Sequence, residues 1–366
     1  MTRIARIRKK TICFSYLRYP RHLRLIALTA RNSTRTLRIF GAFPSRLRDN
    51  QTVVSFSEKI RWKAEELGID KVGFARAEAL VEQAPLFFEW LAGDYNGEMA
   101  WLEREPEKRV DPRLIFPEAK SVICVAVNYY TPYEHANERV SGKISRYAWG
   151  DDYHDVVKEK LRSLLDWITT ENPEAAGKVC VDTAPVMEKP WAARAGIGWI
   201  GKHSNIITKE FGSWVFLGEV LLNLELDYDE PVADHCGSCT VCIDACPTDA
   251  ITEPFVVDSN KCISYATIEL RSDELPENIS PHLDGWLYGC DICQDVCPWN
   301  RFEKPTEESR FAPRLSQTSL DLESVESFTP ESYAERFRKS AMKRTKLSGL
   351  KRNAKALNGN KKLQNQ

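Results

Sequence analysis

Cys236-Gly-Ser-Cys239-Thr-Val-Cys242-Ile-Asp-Ala-Cys246-Pro247 decides the reading of this 366-residue chain. The spacing CxxCxxCxxxCP is that of bacterial two-cluster ferredoxins. Three thiolates on one tight loop hold a [4Fe-4S] cubane, and the fourth, opening a helix after the proline turn, points at the other cluster. A second run, Cys290, Cys293 and Cys297 with Pro298, lacks one member, and Cys262 between the runs replaces it. Crossed ligation then predicts Cys236, Cys239, Cys242 and Cys297 on one cluster and Cys246, Cys262, Cys290 and Cys293 on the other. Paired CxxC motifs also suit tetrahedral zinc, but zinc does not call for two such runs that each end in Cys-Pro. Cys13, Cys124 and Cys180 read as an arm residue and two buried small apolar side chains.

Working outward, eight of eleven cysteines crowded into one segment of a long chain favour metal ligation over a disulfide framework. With 43% apolar residues and ten tryptophans, the chain can build a substantial core. The apolar run Leu25 to Ala30 is far short of the roughly 18 residues a membrane helix requires. Arg18, Arg21 and Arg24 interrupt any secretory signal, and no Arg-Arg pair marks twin-arginine export. A soluble, cytoplasmic protein with no membrane partner is expected. The net charge of −1 hides basic ends on an acidic body: residues 1–48 hold 13 Lys+Arg and no acid, and residues 331–366 hold 11 against 2. That distribution points to a polyanion such as nucleic acid. For residues 1–50 the expectation is a disordered basic arm, with a start codon placed too far upstream and an organelle-targeting peptide as alternatives.

The expected fold class is α+β. Ser57 can cap a helix to Leu67, Lys71 to Ala75 reads as a strand, and strand-like runs recur at Ser121 to Tyr130 and Lys178 to Asp182. Between the last two, Val156, Val157, Leu161, Leu164, Leu165 and Ile168 fall at helical spacing. Asn205 to Thr208 and Trp214 to Leu224 read as two strands joined by a turn at 209–213. The acidic stretch Asp227 to Asp234 reads as a linker. These signals divide the chain into an arm (1–50), an α/β catalytic domain (51–226), a ferredoxin-like two-cluster domain (227–303) and a short helical basic C-terminal segment (304–366).

Clusters move single electrons, so the domain before them should hold an acceptor. Gly196-Ile-Gly198-Trp-Ile-Gly201 formally matches GxGxxG, but a dinucleotide fingerprint must follow a strand and open a helix. Here a helix, Glu188 to Ala195, leads into the glycines, and His203-Ser204-Asn205 leads into a strand. The loop suits either close backbone approach to a large polar cofactor or a purely structural role. Asp182 ends a strand before Thr-Ala-Pro185; desolvation there would raise its pKa and make it a proton donor, while a helix-capping Asp explains the position equally well.

Three stretches together resemble the tRNA epoxyqueuosine reductase family, cobalamin-dependent iron–sulfur enzymes of queuosine biosynthesis. They are Ser145-Arg-Tyr-Ala-Trp-Gly-Asp-Asp-Tyr-His154, Val181-Asp-Thr-Ala-Pro185 running into Trp191-Ala-Ala-Arg-Ala-Gly-Ile-Gly-Trp-Ile-Gly-Lys202, and Tyr288-Gly-Cys-Asp-Ile-Cys-Gln-Asp-Val-Cys-Pro-Trp-Asn300. The resemblance implies two-electron removal of an epoxide from the wobble nucleotide of tRNA, with the clusters feeding electrons to cobalamin. It implies Asp182 as proton donor. It also implies Tyr147, Arg194, Gly196, Gly198, Gly201, Lys202, His203, Ser204, Asn205 and Ser264 around the corrin, with no histidine ligand motif for cobalt. Lys343, Arg344, Lys346, Lys351 and Arg352 would hold phosphates of the anticodon stem-loop, an external low-potential donor would supply electrons, and the chain would act as a monomer. A reductive dehalogenase and a ferredoxin-type electron carrier are the alternatives; the first leaves the basic C-terminal segment without purpose and the second leaves Asp182 and the glycine loop unexplained.

Overall fold

The computed structural model describes residues 54–135 and 140–364; the expected arm and Cys13 lie outside them. In chain order the strands are β1 (Lys71–Arg76), β2 (Ser121–Asn128), β3 (Ser141–Ile144), β4 (Gly177–Cys180), β5 (Trp199–Ile200), β6 (Ile206–Ile207), β7 (Val215–Leu222), β8 (Ile251–Glu253), β9 (Val256–Val257), β10 (Trp286–Tyr288) and β11 (Ser319–Asp321). The main sheet has the order β1-β2-β7-β4, and every pairing in it is antiparallel. The helix–strand alternation therefore does not produce a parallel sheet, and α+β describes the chain.

Strand β2 is apolar along nearly its whole length because it is buried on both faces. Ile123, Val125 and Val127 meet Ile60, Ala64, Leu161 and Leu164 from the helices Phe56–Glu66 and Tyr153–Glu171. Val122, Cys124 and Ala126 face the opposite layer, where Trp191 and Ala192 of the helix Glu188–Arg194 cover the sheet. Cys124 and Cys180 are thus core side chains, as their sequence context predicts. The first helix starts two residues earlier than expected: Ser55 is its N-cap, accepting from Glu58 N at 3.3 Å, while Ser57 Oγ accepts from Asp227 N at 2.8 Å. The expected hairpin across 205–224 is also different. Strand β6 pairs with β5, and β7 belongs to the main sheet.

A second sheet, β10-β3-β11, takes one strand from each of the segments 51–226, 227–303 and 304–366. Its core joins Trp286, Leu287, Ala266 and Leu320 to Leu350, Ala354 and Leu357 of the C-terminal helix Lys346–Gln364. The described residues accordingly form one unit, and the C-terminal segment is part of its core. Among the described residues no helix is long and apolar enough to cross a membrane.

Candidate active site

The eight cysteines of the two runs and Cys262 separate into the two crossed quartets. Cys236, Cys239, Cys242 and Cys297 line a cavity of about 140 Å³, and Cys246, Cys262, Cys290 and Cys293 line one of about 430 Å³. His203 lines both and is 4% exposed. Its Nδ1 accepts from Asn205 N at 3.2 Å, which leaves the proton on Nε2, and Nε2 has no partner among the described residues. A buried N–H without an acceptor is costly. Cluster sulfur between the two quartets is the acceptor this donor fits, and four thiols per cavity are the donor set of a cubane.

The second cluster cavity meets a larger one of about 1020 Å³, and Tyr147, Lys189, Cys262 and Ser264 belong to the walls of both. On its floor stands a hydrogen-bonded chain of acid and base. His154 bridges Asp152 Oδ1, 2.7 Å from Nδ1, and Asp182 Oδ2, 2.8 Å from Nε2. Burial works against the charged imidazole, but hydrogen bonds to the two carboxylates outweigh it and push its pKa up to about 9. For Asp182, burial raises the pKa while the His154 hydrogen bond and charge lower it, and the net direction is down. This corrects the expectation that desolvation raises Asp182: the resting proton sits on His154. Asp152 carries two duties, since it also caps its helix by accepting from His154 N. Tyr147 donates to Tyr288 Oη at 3.0 Å, and Tyr288 donates in turn to Ala341 O, so both rings are fixed beside the acid–base chain. Lys343, Arg344, Trp101 and Arg104 complete the wall, and all four are exposed.

The family description "Epoxyqueuosine reductase QueG, DUF1730" matches residues 109–183, and "4Fe-4S double cluster binding domain" matches residues 235–300. An epoxyqueuosine reductase of Cellulophaga algicola is 50% identical over 297 residues, covering 81% of this chain and 96% of the relative. One from Synechocystis sp. is 49% identical over 276 residues, covering 75% and 95%. The chain belongs to the epoxyqueuosine reductase family. An epoxyqueuosine reductase solved with an epoxyqueuosine-modified tRNA-Tyr stem loop superposes with a TM-score of 0.77 at 32% identity, over 82% of this chain and 80% of that one. The Bacillus subtilis epoxyqueuosine reductase, captured with its catalytic aspartate loop swung out of the active site, gives 0.76 at 30% identity, over 82% and 80%.

Within this epoxyqueuosine reductase fold, Tyr147, His203, Ser204, Asn205 and Ser264 reach the cavity beside Cys262, while five other residues expected there do not. Arg194 turns outward to Glu78, 3.3 Å away, and lies over the Trp191 ring. Gly196 is left-handed at φ 69° beside Glu230 O, and a Cβ on Gly198 would stand 2.2 Å from Ile207 O. Gly201 packs against the Ile207 side chain, so Gly198 and Gly201 close the β5–β6 hairpin. Lys202 serves the cluster loop, with Nζ donating to Gly237 O at 2.7 Å and Cys239 O at 2.8 Å. Of the basic set, Lys343, Arg344 and Lys346 are exposed and Lys351 is half-buried. Arg352 is buried and spends its guanidinium on Ala266 O, Leu270 O and Ser272 O, so it is a structural tie. His154 and Asp152 are not among the residues expected at the site, although both stand in the first of the stretches that carry the family resemblance.

Proposed function

We propose that this chain reduces the epoxide of epoxyqueuosine at the wobble position of tRNA to queuosine, releasing the oxygen as water with two electrons and two protons. The observation that carries this reading is that one cavity is walled both by a cluster cysteine, Cys262, and by the Asp182–His154–Asp152 chain. Bound in the two cavities, the [4Fe-4S] clusters supply electrons one at a time and cobalamin supplies a low-potential centre that passes a pair to the epoxide. The corrin is supported by the volume of the joined cavities and by Tyr147, Ser264, Ser204, Asn205 and Lys189, whose hydroxyl, amide and ammonium groups suit its amide-bearing rim.

The proton is the protein's contribution. His154 holds it at neutral pH, and Asp182 relays it to the oxirane oxygen, after which the imidazole is recharged from solvent through the open cavity. Asp152 keeps the imidazole oriented throughout. Lys343 and Arg344 hold phosphates of an anticodon stem-loop whose wobble nucleotide is splayed into the cavity. Arg344 is already aligned by Glu269, Nε to Oε1 2.7 Å and Nη2 to Oε2 2.8 Å. Residues 51–226 carry the catalytic side, 227–303 the clusters and 304–366 the RNA contact, in a cytoplasmic monomer served by an external low-potential donor.

Anaerobic purification after reconstitution with cobalamin tests the cofactor set. The reading predicts about eight irons and one cobalt per chain; eight irons without cobalt would leave an electron carrier, and zinc in place of iron would remove the clusters.

A further inference from the structure

Asp182 is held at both ends. Its carboxylate is bonded to His154, and its backbone N–H donates to Glu188 Oε1 at 2.5 Å. The second bond matters because Asp182 has φ 51°, a left-handed conformation that a residue with a Cβ keeps only when its surroundings impose it. Asp182 and Thr183 are exposed on their turn, whereas Glu188 opens the helix Glu188–Arg194, whose Trp191 and Ala192 are 0% exposed against the main sheet. A side chain on a fixed element therefore reaches back to the amide of an exposed, strained residue. Relaxation of that backbone to the extended or right-handed region would rotate the carboxylate away from His154 and the cavity.

We propose that Glu188 is a positioning residue: by accepting the Asp182 N–H it keeps Asp182 left-handed and its carboxylate on His154. The inference rests on the reading of Asp182 as proton relay. Glu188 provides an acceptor at a set reach, and its charge is secondary. Burial, joined by the charge of Asp182, pushes its carboxyl pKa up, and the neutral acid's carbonyl oxygen accepts the same bond as the carboxylate.

Two substitutions separate reach from charge. Glu188→Gln keeps the oxygen at the same distance without a charge, and Glu188→Asp keeps the carboxyl one methylene short. In cluster- and cobalamin-loaded protein, Glu188→Gln should hold kcat within about threefold, while Glu188→Asp and Glu188→Ala should lose on the order of 10²-fold in kcat with KM for tRNA changed less than about threefold. Hydrogen exchange at the Asp182 amide, read without substrate, should quicken by at least about tenfold in Glu188→Asp and Glu188→Ala and stay slow in Glu188→Gln. A Glu188→Asp variant that keeps kcat and slow exchange while Glu188→Gln loses them would overturn the proposal in favour of a charge effect. Slow exchange in Glu188→Ala would overturn it outright. Should even the unsubstituted chain leave epoxyqueuosine tRNA unchanged, the exchange pattern still decides the latch, and the failure falls on the proposed function.

Discussion

Glu219 gives the most quantitative prediction. It lies on β7 opposite Cys124 of β2 and Cys180 of β4, is 0% exposed, and has no partner for either carboxyl oxygen among the described residues. Burial raises its pKa well above the ordinary 4.5, and the groups acting on it from the adjoining turn and helix, Glu188 and Asp182, are both acids that push the same way. The unfolded chain releases this proton near pH 4.5 and the folded chain keeps it. Stability from this group is complete below pH 4.5 and declines as pH rises toward the native value, by about 1.4 kcal/mol per pH unit. Over the interval between the two values each pH unit removes at most about 1.4 kcal/mol, against a typical total stability of ~5–15 kcal/mol. Glu219→Gln has nearly the same shape and nothing to titrate. Urea unfolding of the anaerobic, cluster-loaded proteins at pH 5, 6 and 7 should therefore show the variant gaining on the unsubstituted chain as pH rises, by up to about 1.4 kcal/mol per unit at constant m. Parallel curves would mean that Glu219 is ionised or partnered in the folded state, and would refute the argument.

Asp182→Ala should leave iron and cobalt content intact while turnover collapses. Because His154 holds its proton up to about pH 9, kcat should decline as pH rises through that value; His154→Gln should lower kcat and flatten this limb, and an unchanged limb would assign it elsewhere. His203→Phe removes the N–H between the quartets, so potentiometric EPR should show at least one cluster moving to a more negative potential; two unchanged potentials would mean that Nε2 faces neither cluster. Replacing Lys343 and Arg344 together with Ala should weaken stem-loop binding and reduce its salt slope by about 1 per lost phosphate contact. Arg352→Ala should instead destabilise the fold by about 1–3 kcal/mol through its three carbonyls and leave the salt slope alone.

The cluster quartets were legible because ligand spacing is local chemistry: three thiols on one loop need three close positions, and the proline turn fixes where the fourth points. Cys124, Cys180 and the helix carrying Val156 to Ile168 were legible for a similar reason, since burial follows local apolar pattern. The polar site was less so. Asp182 was readable as a candidate, but its ionisation was not, because the sign depends on a hydrogen bond from His154, 28 residues away. Glu219 sits in an otherwise apolar strand and its solitude appears only once β2, β4 and the helix Glu188–Arg194 enclose it. The glycine run misled for a physical reason. Close backbone approach is needed there, but by Ile207 of the neighbouring strand and not by a cofactor. Arg352 misled likewise, since a basic run does not reveal which guanidinium faces inward.

The most direct test of the account is nucleoside analysis of a tRNA stem-loop bearing epoxyqueuosine after anaerobic incubation with the cluster- and cobalamin-loaded chain and a low-potential reductant. The account predicts loss of epoxyqueuosine with matching appearance of queuosine, one oxygen lighter, and dependence on Asp182. Unaltered epoxyqueuosine in the presence of a full complement of iron and cobalt would contradict it.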